Sequence, residues 1–275
     1  MRREALMPAL CAGFLATALL SAGSPEARAD TAADLELILA VDVSHSMDSD
    51  EQQLQRNGYV AAITNPDVVA AITAGPHHRI ALSYVEWAGP GMQYVAVDWR
   101  VIDGTAAARS FADALKQAPI QAFHLTSISE GLIFMKSRFD GNGLTAPRHV
   151  IDVSGDGPNN AGMPIEIARE GVVRAGITIN GLPIMIKQGE GFGSISNLDD
   201  YYQDCVIGGA GAFMLVVRSA DQFAEAIRRK LVLEISDRAP PPLLTPPLIP
   251  AAGEASGTHV DCLIGEKQRQ QWMHE

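Results

Sequence analysis

The chain has 275 residues, 47% of them apolar and 19% charged, which allows one globular domain with a sizeable core plus appendages. Its formal net charge of −11 excludes a nucleic-acid-binding surface, which needs clustered lysine and arginine. Otherwise an acidic balance speaks only to solubility.

The first residues, Met1-Arg2-Arg3, precede a mostly apolar stretch from Ala5 to Leu20 and then Ser24-Pro25-Glu26-Ala27-Arg28-Ala29. Basic start, apolar middle and Ala27-x-Ala29 match a secretory signal peptide over residues 1–29, cut before Asp30. The competing reading is a retained membrane anchor, but Pro8 and Gly13 interrupt a stretch shorter than the roughly 20 residues of a span. The expectation is a periplasmic or secreted bacterial protein with no stable membrane insertion after cleavage. Cleavage removes three arginines, two glutamates and Cys11, leaving a net charge of −12. Cys205 and Cys262 then remain in a compartment where disulfides persist, and a bridge between them is expected.

Leu37 to Val41 is an unbroken apolar run ending in Asp42-Val43-Ser44-His45-Ser46. Such a run suits a strand buried on both faces in a parallel sheet. Ser49 and Gln52 have capping-box spacing, so a helix should start there. Asp42, Ser44 and Ser46 then lie on a strand-to-helix loop at the strand's carboxyl end, where open α/β sheets bind ligands. Carboxylate and hydroxyl oxygens without sulfur or imidazole suit Mg²⁺ or Mn²⁺ rather than zinc. Taken alone, the alternation fits a solvated turn equally well.

Arg79 to Trp87 and Gln93 to Val101 read as strands joined across Ala88-Gly89-Pro90-Gly91, a connection so short that only an antiparallel hairpin fits. Thr105 to Gln117 carries Ala108, Phe111, Ala112 and Leu115 at helical spacing. Ser127 and Glu130 form a second capping-box pair, followed by Ile128, Leu132, Met135 and Phe139 on one helix face. Thr126 therefore stands just before a buried helix. Arg148 to Val153 is a further strand that runs into Ser154-Gly155-Asp156-Gly157-Pro158-Asn159-Asn160, where two glycines let the chain turn and expose Asp156.

Pro164 to Ala175 is expected as helix, Ile177 to Ile184 and Ala212 to Val217 as strands, and Ala220 to Leu233 as the closing helix. Lys187 to Gly211 reads as an irregular glycine-rich loop, since Gly189-x-Gly191-x-Gly193 opens no helix after a strand. Residues 239–258 hold Pro240-Pro241-Pro242, Pro246-Pro247 and Pro250, an extended linker, and residues 259–275 form a short end piece. Strands alternating with helices predict one doubly wound α/β domain over residues 30–238. Its mostly parallel central sheet should carry one antiparallel edge hairpin and helices on both faces.

Three separated segments thus place oxygen ligands on one edge of one sheet: Asp42, Ser44 and Ser46; Thr126; and Asp156. In this constellation the chain resembles the von Willebrand factor type A (vWA) domain and its metal-ion-dependent adhesion site, whose pattern is Asp-x-Ser-x-Ser, a distant Thr and a further Asp. Tyr84-Val85-Glu86-Trp87, Val150-Ile151-Asp152-Val153, Gly176-Ile177-Thr178-Ile179-Asn180-Gly181 and Asp204-Cys205-Val206-Ile207-Gly208-Gly209 are similar to an exported bacterial subfamily of these domains, a domain of unknown function. His45 departs from the glycine that many members carry there.

The resemblance implies that Ser44, Ser46 and Thr126 touch Mg²⁺ or Mn²⁺ through hydroxyl oxygens, with Asp42 and Asp156 acting through water. Neutral inner ligands leave such a cation electrophilic. A vacant position then draws an acidic side chain of a partner protein, and no catalysis is required.

Two other readings stand beside this one. A magnesium phosphatase with an aspartyl nucleophile also ends its first strand in Asp, but Ser44 occupies the place of its second acid. No Gly-x-Ser-x-Gly elbow, Walker loop or His-Glu-x-x-His appears either. The other is a metal-free scaffold. Asp152, flanked by Val150, Ile151 and Val153, is expected to be buried and paired. His77-His78 reads as a solvated loop rather than a zinc site, and Trp87 and Trp99 fit either hairpin packing or the flank of a binding face.

Overall fold

The computed structural model describes residues 30–187, 194–236, 248–250 and 259–274. The expected signal peptide and most of the proline-rich linker lie outside them. The elements run β1 (Thr31–Ala32), β2 (Glu36–Asp42), α1 (Ser49–Ile63), α2 (Pro66–Thr73), β3 (Ile80–Trp87), β4 (Gln93–Ile102) and α3 (Thr105–Gln117). There follow α4 (Ile128–Ser137), β5 (Leu144–Thr145), β6 (His149–Gly155), α5 (Ile165–Val173), β7 (Ile177–Pro183) and α6 (Leu198–Tyr201), which continues as a π-helical turn over Tyr202–Val206. Last come β8 (Phe213–Leu215), α7 (Phe223–Ser236), β9 (Leu248–Pro250) and α8 (Ile264–Trp272).

The main sheet has the order β4-β3-β2-β6-β7-β8-β9. Its middle strands are parallel, and β4 closes one edge as the antiparallel partner of β3. β1 and β5 form a separate parallel pair. At the other edge β9 pairs antiparallel with β8, so part of the expected linker is a strand. The chain leaves β2 toward β3 on one side and returns to β6 on the other. This reversal makes the carboxyl ends of β2 and β6 the switch point at which α/β sheets open a crevice.

All seven residues of β2 are buried, as a strand covered on both faces requires. Leu37, Leu39 and Val41 join one core with Tyr59 and Ile63 of α1, Ile72 of α2, Phe111 of α3 and Phe223, Ile227 and Leu231 of α7. Ile38 and Ala40 face the opposite core with Leu132 of α4, Ala168 and Val172 of α5, and Tyr201, Tyr202 and Cys205. The period-two alternation of side chains sorts one strand between two cores.

Three local expectations change. α1 is capped by Asp48, not Ser49: Asp48 Oδ1 accepts from Asp50 N at 3.0 Å and Glu51 N at 2.9 Å, while Asp48 N donates to Glu51 Oε2 at 3.1 Å. A carboxylate placed one residue earlier captures the same free N–H groups, with Glu51 completing the box. The expected loop Lys187 to Gly211 contains α6 and its π-helical turn, and its residues 188–193 lie outside the described part. α2 was not expected, although Asn65 caps it and Pro66 opens it.

Two buried charge clusters tie helices to the sheet. Arg56 of α1 is paired with Glu86 of β3 and also donates to the carbonyls of Leu115 at 2.7 Å and Ala118 at 2.9 Å. Lys230 of α7 lies 2.5 Å from both Asp152 of β6 and Glu234, so Asp152 is buried and paired as its apolar neighbours demand. No helix among the described residues is long and apolar enough to cross a membrane.

Candidate metal centre

Sheet register builds the site. Val41 of β2 pairs with Ser154 of β6, so Asp42 stands beside Gly155 and Asp156 comes one residue later. Only a glycine fits there: a Cβ at Gly155 would lie 2.8 Å from Asp42 Oδ2 and 3.0 Å from the Tyr202 hydroxyl. Beyond β2 the chain stays laddered, Val43 N donating to Trp87 O at 2.9 Å and Phe123 N to Val43 O at 3.2 Å. That bridge between Ser44 and Phe123 draws His124-Leu125-Thr126 alongside the first loop.

Leu125 has φ +70°, a left-handed conformation that costs a branched residue about 1–3 kcal/mol and marks sites the surrounding structure over-determines. Thr126 follows at once and is held twice by one asparagine. Its N–H donates to Asn160 Oδ1 at 2.9 Å, and its carbonyl accepts from Asn160 N at 2.8 Å. Ser127 N donates to Ala88 O at 2.8 Å, anchoring the start of α4 to the hairpin. From the other side Gln52 Nε2 reaches the carbonyls of Val43 at 3.4 Å and Met47 at 3.3 Å, bracing the first loop from within.

The site atoms form a chain of oxygens. Ser44 N donates to Asp42 Oδ1 at 2.7 Å, the Ser44 and Ser46 hydroxyls are 2.9 Å apart, and Ser46 Oγ donates to Asp156 Oδ1 at 2.6 Å. Asp42 is fully buried, yet its Oδ2 has no hydrogen-bond partner. A cavity of about 500 Å³ opens on Ser46, Thr126 and Asp156, with Leu125, Ile184 and Ile186 as apolar wall and His45, His124 and Lys187 among its lining. The His45 and His124 rings lie 4.8 Å apart. Lys187 is 2.7 Å from both Asp48 and Glu51.

Burial, and then the negative charge of Asp156, pushes the Asp42 carboxyl well above the ordinary carboxylate range. Burial likewise pushes Asp156 up to about 6. Burial and the nearby Asp42 charge hold the Tyr202 phenol neutral far past its usual pKa. A fully buried carboxylate with a bare oxygen, beside a second, half-buried one, is costly unless a positive charge joins them. Among the described residues no three His, Cys, Asp or Glu converge, so a cation here depends on the hydroxyls of Ser44, Ser46 and Thr126. An all-oxygen donor set of this kind fits a hard divalent ion.

Asp42, Ser44, Ser46 and Asp156 are therefore linked atom to atom, and Thr126 shares their cavity. The sequence reading missed Asn159 and Asn160 as positioning groups, Gln52 as a brace and Tyr202 beside Asp42. The paired amides of Asn159-Asn160, one residue beyond Gly155-Asp156-Gly157, were the one local signal available.

The doubly wound sheet has the vWA-type fold, with hydroxyl and carboxylate oxygens gathered at its switch point. The chain belongs to the family described as "Protein of unknown function (DUF1194)", whose model matches residues 32–239. No curated protein matches the sequence.

Among solved structures it is similar to proximal thread matrix protein 1 from the mussel byssus, with 15% identity, TM-score 0.56, and 75% of this chain and 49% of that chain covered. Another structure of that protein, described as having a zinc-occupied MIDAS motif, aligns with 17% identity and TM-score 0.53, covering 76% and 49%. A vWA domain from Catenulispora acidiphila aligns with 14% identity and TM-score 0.50, covering 74% and 43%. The pilus adhesin SpaC from Lactobacillus rhamnosus GG, in its open conformation, aligns with 13% identity and TM-score 0.54, covering 76% and 31%. The chain thus spans about half the length of the mussel protein and a third of the adhesin.

Proposed function

We propose that this chain is a divalent-cation-dependent protein-binding module that captures an acidic side chain of a partner. Ser44, Ser46 and Thr126 would hold Mg²⁺ or Mn²⁺ through their hydroxyls, with Asp42 and Asp156 balancing its charge. A cation bound there supplies a Lewis-acidic position for an oxygen ligand from outside. The observation that carries this reading is the bare, buried Oδ2 of Asp42 behind a hydroxyl–carboxylate chain that opens into the cavity.

The chain's own groups shape the capture. Leu125, Ile184 and Ile186 exclude water around the incoming carboxylate, which strengthens a short charged contact. Ser44 stands where an aspartyl phosphatase keeps its general acid, so the site is read as binding without turnover. A zinc-occupied MIDAS motif in the mussel protein and the pilus adhesin SpaC support a metal-dependent adhesion or assembly role. We place the protein outside the cytoplasm, in the periplasm or secreted. The Cys205–Cys262 disulfide supports an oxidising compartment, and N-terminal sequencing of exported protein should begin at Asp30.

The deciding experiment is calorimetric titration of the purified protein with Mg²⁺, Mn²⁺ and Zn²⁺, followed by capture from the exported fraction with Mg²⁺ or with EDTA. Binding of one cation, lost in Ser44→Ala, and cation-dependent capture are expected. Absence of any divalent binding would sink the reading in favour of a metal-free scaffold. Cation-dependent hydrolysis of a phosphate ester, lost in Asp42→Asn, would favour an enzyme.

A further inference from the structure

The C-terminal segment 259–274 lies beyond the family match, which ends at residue 239, yet it packs onto the loop that carries the candidate site. Cys262 is bonded to Cys205 in the π-helical turn, and Val260 N donates to Asp204 Oδ2 at 2.9 Å. From this anchor α8 crosses residues 159 and 160. Gly265 approaches so closely that a Cβ there would stand 2.2 Å from the Asn159 carbonyl oxygen. Asn159 Nδ2 donates to Glu266 Oε1 at 2.7 Å, and Arg269 Nη1 donates to the Asn160 carbonyl at 3.3 Å. The Tyr201 hydroxyl accepts from Asn159 N at 3.1 Å and reaches the Cys262 carbonyl at 3.5 Å.

The same two asparagines turn their remaining groups to the site. Asn160 holds Thr126 by the two bonds described above, and Asn159 Oδ1 accepts from Ser129 N at 3.0 Å. An ionised Glu266 only accepts, so it fixes which end of the Asn159 amide faces it. The amide nitrogen is taken by Glu266 and the Met163 carbonyl at 3.2 Å, which leaves the oxygen for the first turn of α4. One layer of residues thus separates the tail helix from a candidate cation ligand.

We propose that segment 259–274, tethered by Cys205–Cys262, is a brace that holds the Asn159-Asn160 loop and through it sets Thr126 for cation binding. Asn159, Asn160, Glu266 and Arg269 are positioning residues and touch no reacting group. The effect on affinity rests on the cation reading above, whereas the mechanical coupling does not.

Two readouts on the full chain separate these, namely hydrogen exchange of the Thr126 and Ser129 amides and calorimetric titration with Mg²⁺ and Mn²⁺. In Glu266→Ala combined with Arg269→Ala, both amides should exchange roughly tenfold faster and the cation bind roughly tenfold more weakly, the factor given by losing about one net hydrogen bond. Cys262→Ser should act in the same direction. Glu266→Gln, which keeps an acceptor for Asn159, should restore both readouts, while the Val97 amide in the distant hairpin should not change. Unchanged exchange at Thr126 and Ser129 in the double variant and in Cys262→Ser overturns the brace. If wild type binds neither cation, the site reading fails and amide exchange alone decides the brace. Should the double variant not fold, Glu266→Ala alone, on the half-buried face of α8, decides in the same way.

Discussion

Asp42 concentrates the physics of the site in one side chain. Its Oδ1 accepts from Ser44 N and its Oδ2 has no hydrogen-bond partner, so the side chain carries a desolvation cost that Asn would relieve. Asp42→Asn is therefore expected to raise the melting temperature of the cation-free protein while abolishing the cation's effect on it. In wild type, a cation at a hundred times its Kd should stabilise the fold by about 2.7 kcal/mol through mass action. Thermal melts of both forms with Mg²⁺ and with EDTA check this, and a wild type that Mg²⁺ leaves unshifted would contradict it. Gly155→Ala pushes a methyl group against Asp42 and Tyr202. It should cost about 1–3 kcal/mol by overpacking, seen in denaturant titration, and abolish cation binding.

The residues gathered at the candidate site were legible in the sequence because each ends a strand or precedes a helix, where period and cap signals are strongest. Asp42 closes an apolar run, Asp156 sits between glycines, and Thr126 precedes a capping serine. Asn160 was not legible. Its partner Thr126 is 34 positions away, and nothing local distinguishes a bracing asparagine from a turn asparagine.

At the scale of elements, the helices are fastened by charge as well as by apolar burial. Arg56 joins α1 to β3 and to the end of α3 through Glu86, Leu115 and Ala118. Glu86→Ala strands that guanidinium in the interior and should destabilise the protein by about 3–5 kcal/mol, whereas replacing both partners with apolar residues should cost much less. A double-mutant cycle in denaturant measures the difference.

Glu234 is pushed up to about 7, chiefly by burial and then by Asp152. A carboxyl whose pKa is higher in the folded state binds more protons there than in the unfolded chain. Its contribution is therefore fully present below the ordinary value of 4.5 and is lost as pH rises toward 7. Glu234→Gln should flatten that slope of stability between pH 4.5 and 7, and an unchanged slope would assign it to another group.

The elements that the sequence hid are too short or too rich in proline to show a clear period. Tyr201, Tyr202, Cys205 and Val206 are all buried and share one helical face, but that face covers fewer than two turns, too short a run for its periodicity to be read. Tertiary contacts hold this turn: Tyr202 and Ile207 lie within 3 Å of where a Cβ on Gly181 would stand. β9 was hidden by proline, which reads as linker although an edge strand tolerates it.

Across the whole molecule, the disulfide closes a loop of 57 positions between Cys205 and Cys262, with Cα atoms 5.6 Å apart. Chain entropy assigns such a bridge about 4 kcal/mol. Cys262→Ser should lose about that much in guanidinium titration while the two cores keep the main sheet folded, and a loss near zero would show that the tail adds no closure constraint. The α/β order and the hairpin edge were readable from spacing, and the bridge from two cysteines left in an exported chain, whereas the reach of the tail to residues 159 and 160 was not, because 106 or more positions separate the helix from its contacts.

The strand β9 also bears on how separate molecules meet. A parallel sheet that stopped at β8 would offer the backbone of Phe213, Met214 and Leu215 as a template for any extended chain. β9 occupies that row and ends in Pro250, which has no N–H to give. A chain shortened to end at Ser236 should therefore self-associate through β8, giving larger species in light scattering as concentration rises. Cys262→Ser, which frees the tail but keeps β9, should stay monodisperse, so the comparison assigns protection from aggregation to the strand and not to the staple.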